Sequence, residues 1–463
     1  MTSSSSSNGA STRTMKKIGT PTKSTDLDWS GGEGVLPGRA ALGPIFLMSV
    51  TPVFSIVFFH VCANMKGNFL AFGQQCLRDG LGATITAIWP DPWDAVAWKM
   101  ILSFMAFQLL LMKVIPGDRF EATLTPKGNR PVYIANGMAC YLTTLAVLVL
   151  LDLTQAFNPA TIYDKFGNIL SSMNVFAWCF CLGLLVKGHV APSSSDSGTN
   201  GSWITDFYWG MELYPRVLGW DVKMFTNCRC GMMFWAVAIV AFCYKNMELH
   251  GGHLQYGMAV SVALQLIYIF KFFHWEMGYM CSMDIQHDRA GYYICWGCLV
   301  WVPAVYTSQA FYLTAHAPEL STLTALAIFI AGFVCVWSNY DSDHQRYIFR
   351  QTNGDCRIWG RQPDKIVAKY VANGVAKESL LLVDGWWKIS RHFHYVPEIL
   401  ASFFWSVSAL DTGLVGPYFY VVFLTILLTD RAFRDDDRCR KKYGKYWTEY
   451  CEVVPYKIVP GVV

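Results

Sequence analysis

The chain has 463 residues and a net charge of +4, with 53% hydrophobic and only 15% charged residues. Soluble globular proteins average about 25% charged residues, so this composition excludes an ordinary soluble domain and indicates an integral membrane protein. The 15 cysteines do not predict a secreted disulfide framework, because most of them lie in apolar runs, where a thiol behaves as a small hydrophobic group.

The apolar residues are clustered into runs that follow a polar N-terminal segment. Residues 1–40 are rich in Ser, Thr, Gly and Lys without an apolar signal core, which predicts a disordered cytosolic tail. Apolar runs follow at 43–62, 95–115, 132–151, 169–187, 254–273 and 292–313, with shorter ones at 231–244, 321–338, 396–410 and 416–428. A bilayer-spanning helix needs about 20 apolar residues. We therefore predict an all-α polytopic membrane protein with about nine or ten transmembrane helices and no separate soluble domain.

Three polar regions interrupt these runs. The loop 188–230 is long and rich in aromatic residues, which predicts an ordered loop that lies back over the bundle. The segment 344–391 and the tail after Arg431 are basic, so the positive-inside rule predicts that both face the cytosol. The two shorter apolar runs between them supply the even number of spans that this topology requires.

Two arginines follow the predicted span that ends near Ser338. Arg346 and Arg350 are four residues apart, so on a helix they share one face at the membrane edge. Two guanidinium groups there could bind phosphate oxygens bidentately. Basic residues beside a span also set topology and contact lipid headgroups, and the pair by itself leaves both interpretations open.

Aromatic and cationic residues alternate between 386 and 395. Trp386-Trp387 precedes Arg391-His-Phe-His-Tyr395, and these rings, guanidinium and imidazoles suit the stacking of a nucleotide and contacts to its ribose or phosphates. The alternative is an interfacial aromatic belt. A di-histidine metal site is not favoured and no metal is expected, since no carboxylate lies at ligand spacing.

The C-terminal tail carries cations, carboxylates and aromatic residues in close succession. These residues are Arg431, Arg434, Asp435, Asp436, Asp437, Arg438, Lys441, Lys442, Tyr443, Trp447 and Tyr450. A solvated basic tail is one interpretation. The aromatic residues and the apolar end 453–461 favour a tail that packs back and contributes to the site.

A fourth group of ionisable residues lies near the span 254–273. Its acidic and proton-carrying members include Glu276, Tyr279, Asp284, His287 and Asp288. Ionisable groups near a span are functional candidates, and an acid whose pKa is raised by burial can donate a proton. The alternative is that these groups cap and pair the adjoining helices.

Several long motifs resemble one family of membrane enzymes. From about Ile45 to Val463 the chain is similar to the sterol C14/C7/C24(28) reductases, and within them to the sterol Δ7-reductases (7-dehydrocholesterol reductases). The matching runs are Leu124-Thr-Pro-Lys-Gly-Asn-Arg-Pro-Val-Tyr133, Lys187-Gly-His-Val-Ala-Pro-Ser-Ser-Ser-Asp-Ser-Gly198, Asp206-Phe-Tyr-Trp-Gly-Met-Glu-Leu-Tyr-Pro-Arg216, Met283-Asp-Ile-Gln-His-Asp-Arg-Ala-Gly291 and Cys295-Trp-Gly-Cys-Leu-Val-Trp-Val-Pro303. The resemblance implies a transmembrane bundle with a sterol pocket at 41–338 and an NADPH-binding region with a transmembrane hairpin at 339–463.

The chain departs from the animal-type pattern at two places. Gln345-Arg346 replaces Gln-Lys, and Arg391-His-Phe-His-Tyr-Val-Pro-Glu398 replaces Arg-His-Phe-Asn-Tyr-Val-Gly-Asp. Both variants look like the plant-type Δ7-reductases. Lys388 stands where the family usually has Gly.

The resemblance implies a set of NADPH-binding residues. These are Arg346, Arg350, Leu382, Trp387, His394, Tyr395, Asp435, Cys439, Arg440, Lys441, Lys442, Tyr443 and Tyr450. The residues themselves already point to the two arginines, to Trp387 and to the basic tail. Leu382 and Cys439 rest on the family alone.

The reaction that the resemblance implies is NADPH-dependent reduction of the C7–C8 double bond of a 5,7-diene sterol, in sterol and cholesterol biosynthesis. Protonation at C8 would leave a C7 cation that the 5,6-double bond delocalises, and hydride transfer would then reach C7. The candidate proton donors are Glu276, Tyr279, Asp284 and His287. The expected location is the endoplasmic reticulum membrane, and the expected partners are a sterol from the bilayer, membrane lipids and other sterol-pathway enzymes, with no nucleic acid.

Three alternatives remain open from the sequence. The first is a sister reductase that acts on the C14 or C24(28) double bond. The second is an isoprenylcysteine carboxyl methyltransferase, although those enzymes resemble only the C-terminal part and are much shorter. The third is a sterol-binding membrane scaffold without turnover. Arg350, Trp387, Tyr395, Asp435 and Tyr443 favour a working cofactor site over a scaffold.

Overall fold

The structure, a computed structural model, describes residues 42–125, 127–372, 375–412 and 416–462. The tail 1–40, predicted to be disordered, lies outside the described residues. The described part is a bundle of α-helices with three short two-stranded β-hairpins. The predicted helical, polytopic membrane architecture is confirmed.

The first half of the chain contains ten α-helices and two of the hairpins. In chain order these elements are α1 (Leu42–Asn64), α2 (Phe69–Asp79), α3 (Leu81–Ile88), α4 (Ala95–Val114), β1 (Asp118–Glu121), β2 (Val132–Ala135), α5 (Gly137–Leu153), α6 (Ala160–Asp164), α7 (Phe166–Val190), α8 (Trp203–Trp209), β3 (Arg216–Val217), β4 (Trp220–Asp221), α9 (Met233–Leu249) and α10 (Tyr256–His274). A π-helical segment, Met224–Met232, leads directly into α9.

The second half carries the third hairpin and the C-terminal helices. Its elements are α11 (Glu276–Tyr279), α12 (Met283–Gln286), α13 (Tyr292–Trp296), α14 (Ser308–His316), α15 (Thr322–Gln351), β5 (Lys365–Ala372), β6 (Val375–Leu382), α16 (Tyr395–Ser406), α17 (Phe419–Tyr443) and α18 (Lys445–Val453). A second π-helical segment, Gly297–Tyr306, joins α13 to α14, and short 3-10 turns lie at Gly385–Lys388, Val407–Thr412 and Gly416–Tyr418.

Among the described residues, seven helices are long and apolar enough to cross a membrane. They are Gly43–Asn64, Ala95–Val114, Phe166–Val190, Met224–Leu249, Tyr256–His274, Tyr292–His316 and Thr322–Gln351. The other three predicted spans correspond to shorter apolar segments: α5 has 17 residues, α16 has 12, and only the first half of α17 is apolar. The predicted nine or ten spans therefore become seven full-length apolar helices and three shorter segments.

The two π-helical segments cross inside the bundle. Pro303 lies in the second one and cannot donate a backbone hydrogen bond, and wide helical turns accommodate such a gap. The backbones approach so closely that a Cβ at Gly231 would lie 3.0 Å from the carbonyl oxygen of Cys298. This crossing packs the inner helices tightly: 83% of the apolar window in Met224–Leu249 is buried, against 22% in Thr322–Gln351.

The segment 344–391, predicted as a basic loop, has regular structure through most of its length. Helix α15 continues without a break to Gln351, and β5 and β6 then form an antiparallel hairpin that pairs Lys365 with Leu382. Ile366 and Leu381 of this hairpin pack against Tyr443 and Trp447 of the tail. The loop prediction was wrong here, because the exposed Val367 and Val371 interrupt the period-2 apolar pattern of the hairpin.

The loop 188–230 is ordered, as predicted. It contains α8 and the β3–β4 hairpin, and an ion pair and a hydrogen bond fix its position. Lys187 Nζ donates to Glu212 Oε1 at 2.6 Å, and Thr199 Oγ1 donates to Asp206 Oδ2 at 2.6 Å. Helix α8 of this loop packs against α1, α7 and α13.

Candidate functional site

The two basic regions of the chain meet at one end of the bundle, which we call the basic end (residues 339–395 and 431–462). The segment that begins at Arg391 binds the C-terminal tail. Arg391 Nη1 donates to the carbonyl oxygens of Val454 and Pro455 at 2.6 and 2.9 Å, and the backbone N–H of His392 donates to Lys457 at 2.8 Å. Val454 and Ile458 are buried. The predicted packing of the apolar tail is confirmed.

A histidine and a carboxylate connect the two regions. His392 Nε2 lies 3.2 Å from Asp435 Oδ2, and Arg438 Nη2 donates to Asp435 Oδ1 at 2.6 Å. Burial opposes ionisation of Asp435, but the hydrogen bond from His392 and the charge of Arg438 outweigh it and hold the pKa of that carboxyl well below its usual range. Asp435 is therefore a fixed negative charge at neutral pH.

Arg346 lies over an aromatic face. Its guanidinium carbon is 4.2 Å from the ring centroid of Trp387, and its Nη2 donates to Asp343 Oδ1 at 3.2 Å. The indole Nε1 of Trp387 donates to the backbone carbonyl of Ser342 at 2.7 Å, which fixes the ring. Arg350 lies one turn further along α15, exposed. The two arginines share a helix face, as their spacing predicts.

His394 and Tyr395 form an aromatic wall beside Trp387. The ring centroids of His394 and Tyr395 are 4.3 Å apart, and those of His394 and Trp387 are 5.0 Å apart. Tyr395 also stacks on His392 at 5.3 Å. Burial and the nearby Arg346 hold the pKa of His394 well below its usual range, so its imidazole is neutral at pH 7.

The remaining residues predicted from the family occupy different places. Tyr443 and Tyr450 are buried in the small core between the β5–β6 hairpin and the tail. Cys439 Sγ lies 3.9 Å from Asp435 Oδ2. Lys442 lies over the rings of Tyr370 and Tyr443 at 4.7 and 4.9 Å.

Three more of the predicted residues also lie away from the aromatic wall. Arg440 is 67% exposed and pairs with Asp436 at 3.2 Å, and Lys441 is exposed. Leu382 is buried against Phe349, Ile358 and Trp387, so it supports the tryptophan from behind.

The composition of the basic end fits an anionic, planar cofactor. Phosphate groups need cations, and Arg346, Arg350 and Lys442 supply them. Stacking needs ring faces, which Trp387, His394 and Tyr395 present. Within the described part of the chain, Nδ1 of both His392 and His394 is buried without a hydrogen-bond partner, a state that a bound ligand would relieve.

The predicted proton donors fall into two groups. Glu276 is buried in a two-point ion pair with Arg229, whose Nη2 also donates to Asn136 Oδ1 at 2.8 Å. A Cβ at Gly137 would overlap that carboxylate, so the glycine permits the close approach. Tyr279 accepts a hydrogen bond from Asn227 Nδ2 at 3.0 Å.

The second group faces the charged part of α17. Asp284 Oδ2 accepts from Arg431 Nη2 at 2.5 Å. Burial and the cations Arg438 and Lys223 lower the pKa of His287 to about 4. Glu276 and Asp284 are thus each engaged by an arginine, and His287 lies among cations.

Sequence reasoning missed a hydroxyl–carboxylate pair inside the bundle. Tyr268 Oη, on α10, donates to Glu398 Oε1, on α16, at 2.5 Å. Rings of Trp235 and Trp405 surround Tyr268, with centroids 5.7 and 5.4 Å away. Glu398 could have been singled out as an acidic residue in a short apolar run, but its partner lies 130 residues away.

A membrane-embedded helical bundle with a cation- and ring-lined end and an interior acid–hydroxyl pair defines a class: multi-pass membrane enzymes that act on apolar substrates with a nucleotide cofactor. Residues 38–463 match the Ergosterol biosynthesis ERG4/ERG24 family. The chain belongs to this family. That membership confirms the predicted family and the prediction that the chain is an oxidoreductase.

Individual relatives are similar over almost the whole chain. A 7-dehydrocholesterol reductase of Arabidopsis thaliana is 52% identical over 418 residues, which cover 90% of this chain and 96% of the relative. A 7-dehydrocholesterol reductase of Xenopus laevis is 33% identical, with coverages of 90% and 91%. A Delta(14)-sterol reductase of Methylotuvimicrobium alcaliphilum is 33% identical, with coverages of 81% and 87%.

Proposed function

We propose that this protein reduces the C7–C8 double bond of 5,7-diene sterols with NADPH, as a multi-pass protein of the endoplasmic reticulum membrane. The Δ7 specificity is supported by the 52% identity to a relative named for 7-dehydrocholesterol, compared with 33% to one named for a Δ14 sterol. A sterol is apolar and partitions into lipid, so in this proposal it enters from the bilayer.

The observation that carries the proposal is the position of α16. Its first residue, Tyr395, belongs to the aromatic wall of the basic end, and Glu398, three residues later, pairs with Tyr268 inside the bundle. One helix turn therefore separates the polar, cofactor-like site from an acid–hydroxyl pair at membrane depth. A reduction by hydride and proton needs these two kinds of site side by side.

The chain's own residues would hold the cofactor at the basic end. Arg346, Arg350 and Lys442 would neutralise phosphate charge, and Trp387, His394 and Tyr395 would provide stacking surfaces. Neutral His394 can donate or accept a single hydrogen bond without adding charge. NADPH, when bound, supplies the hydride for C7.

The proton for C8 comes from Tyr268 in this proposal. Its hydroxyl is held by Glu398 within an aromatic enclosure formed by Trp235, Trp405 and Tyr420. Ring faces stabilise a positive charge that develops beside them, which suits the cation left by protonation of the diene. The geometry thus favours Tyr268 over the ion-paired Glu276 and Asp284 as the donor.

The test is the loss of the conjugated-diene ultraviolet absorbance of 7-dehydrocholesterol in membranes that contain the full chain and NADPH, with products identified by mass spectrometry. We expect a Δ5-sterol, its formation strongly reduced in Tyr268→Phe and in Arg350→Ala. An unchanged diene together with reduction of a Δ14 or Δ24(28) sterol would show that the substrate is one of those sterols and not the 5,7-diene. No turnover of any sterol by folded protein would favour a binding scaffold.

A further inference from the structure

One lysine lies between the Tyr268–Glu398 pair and the basic end. Lys271 follows Tyr268 by three residues on α10, so both side chains lie on one helix face. Lys271 Nζ is 4.0 Å from Glu398 Oε2 and 4.8 Å from the ring centroid of Tyr268. A single ammonium group therefore contacts both members of the pair.

The same ammonium also reaches the cofactor-like site. Lys271 Nζ donates to Asn339 Oδ1, and Asn339 Nδ2 donates to the backbone carbonyl of His394 at 2.8 Å. Asn339 is buried, whereas the side chain of Lys271 is 18% exposed. A chain of polar contacts thus runs from His394 of the basic end, through Asn339 and the partly exposed Lys271, to Glu398 and Tyr268.

The surroundings of this path contain few other ionisable groups. The phenols of Tyr306 and Tyr420 face Tyr268 from the second π-helical segment and α17, and His394 faces Lys271 from the start of α16. Phenols and a neutral imidazole add no charge at pH 7. Lys271 is therefore the cation that balances Glu398 in this apolar environment, where an isolated charge is costly.

We propose that Lys271 delivers solvent protons to Glu398 and thereby reloads Tyr268 after each turnover. The inference rests on the proposed sterol reduction. Lys271 acts through Glu398 and does not touch the sterol, so it is a positioning and proton-supplying residue rather than a catalytic one.

The proton transfers balance as follows. Lys271 first transfers one proton to the Glu398 carboxylate, which otherwise accepts from Tyr268 Oη. Tyr268 then gives its proton to the sterol while Glu398 returns one to Tyr268 Oη, so that a C–H bond forms and a carboxylate, a neutral tyrosine and a sterol cation remain. Lys271 regains its proton from solvent. Each turnover consumes one solvent proton.

Two substitutions separate proton transfer from charge. Lys271→Met removes both, and Lys271→Arg keeps the charge but releases no proton, since a guanidinium does not deprotonate in proteins. Both variants should lower kcat for diene loss by about 10- to 100-fold, at or below the lower end of what general acid catalysis contributes, because Lys271 supplies the proton donor and is not itself the donor. The KM for the sterol and the Kd for NADPH should change less than about twofold, and the solvent deuterium isotope effect on kcat should rise.

Rescue and spectroscopy exclude a merely structural role. Added ethylamine should restore part of kcat in Lys271→Ala. The infrared band of a protonated carboxyl, assigned to Glu398 by its loss in Glu398→Gln, should change its pH dependence in Lys271→Met. The matched control is Lys245→Met. Lys245 lies on α9 and pairs with Asp164 and Glu248, so this substitution should change neither readout.

The outcomes distinguish the two proposals. Wild-type kcat in Lys271→Arg, without amine rescue of Lys271→Ala, would overturn the relay, because charge alone would then suffice. If Lys271→Met does not fold, the arginine and alanine variants decide. If the wild-type chain reduces no diene sterol, the proposed function fails, while the infrared linkage between Lys271 and Glu398 can still be measured.

Discussion

Two buried charge clusters of this protein look alike in composition and differ in how completely they are closed. The Arg229–Glu276 pair is 0% and 3% exposed, and both terminal nitrogens of the arginine are bonded. In the His392–Asp435–Arg438 cluster, exposure rises from 5% to 24% to 42%, and the histidine keeps a ring nitrogen without a partner within the described residues. A fully buried cluster holds helices together, whereas a cluster whose exposure rises from one member to the next can admit a ligand.

The largest effect should come from opening the closed cluster. Arg229→Ala leaves Glu276 as a buried, unpaired carboxylate, which should cost about 3–5 kcal/mol of stability. The measurement is denaturation of the purified protein in detergent or lipid nanodiscs. Arg119→Ala, which breaks an exposed pair, should change stability by less than about 1 kcal/mol. Equal losses in the two variants would refute the distinction between closed and exposed charge pairs.

The His392–Asp435–Arg438 cluster and its neighbours should affect cofactor binding more than protein stability. Arg350→Ala removes an exposed cation from the basic end, so NADPH affinity should fall by about 10- to 100-fold, as expected for a charged hydrogen bond of about 1.5–3 kcal/mol. Isothermal titration on nanodisc-embedded protein measures the Kd. Arg440→Ala is the control, because that side chain points to solvent and pairs with Asp436. A greater loss of NADPH affinity in Arg440→Ala than in Arg350→Ala would indicate that the cofactor binds at the outer face of α17.

Acid should destabilise the protein partly through His287. Its folded pKa of about 4 lies below the unfolded value of about 6.5, so the unfolded state binds more protons between these values. The stabilising contribution is present above pH 6.5 and is lost as the pH falls towards 4. Between pH 7 and 5, His287→Gln should lose about 1–2 kcal/mol less stability than the wild type. Identical pH dependence of unfolding in the two proteins would contradict this.

The smallest effect should come from Lys388. This residue stands where the resembling family usually has Gly, but its side chain is exposed at the end of a 3-10 turn. Lys388→Gly should therefore leave NADPH affinity within about twofold and stability within about 0.5 kcal/mol. Trp387→Ala, one residue earlier and buried, gives the contrast, since it removes the surface over which Arg346 lies. A large change in Lys388→Gly would show that the 3-10 turn contributes to the cofactor site.

Sequence patterns predicted the elements that are defined by residues close together in the chain. Apolar runs gave the helices, because a bilayer span must be apolar along its whole length. The spacing of Arg346 and Arg350 predicted a shared face, since α-helical geometry is local. The β5–β6 hairpin was missed, although alternating apolar residues flank Asn373-Gly374, a dipeptide typical of hairpin turns. Val367 and Val371, which are apolar but exposed, obscured the alternation.

The sequence by itself determined the membrane class, the basic end and most residues of the predicted cofactor site, because composition and short-range spacing carry that information. Tertiary structure decided which acids are available. Glu276 and Asp284 are sequestered by Arg229 and Arg431, whereas Glu398 pairs with Tyr268 and Lys271. These partners come from distant helices. Protonation depends on what surrounds a group in space, and no local pattern records that.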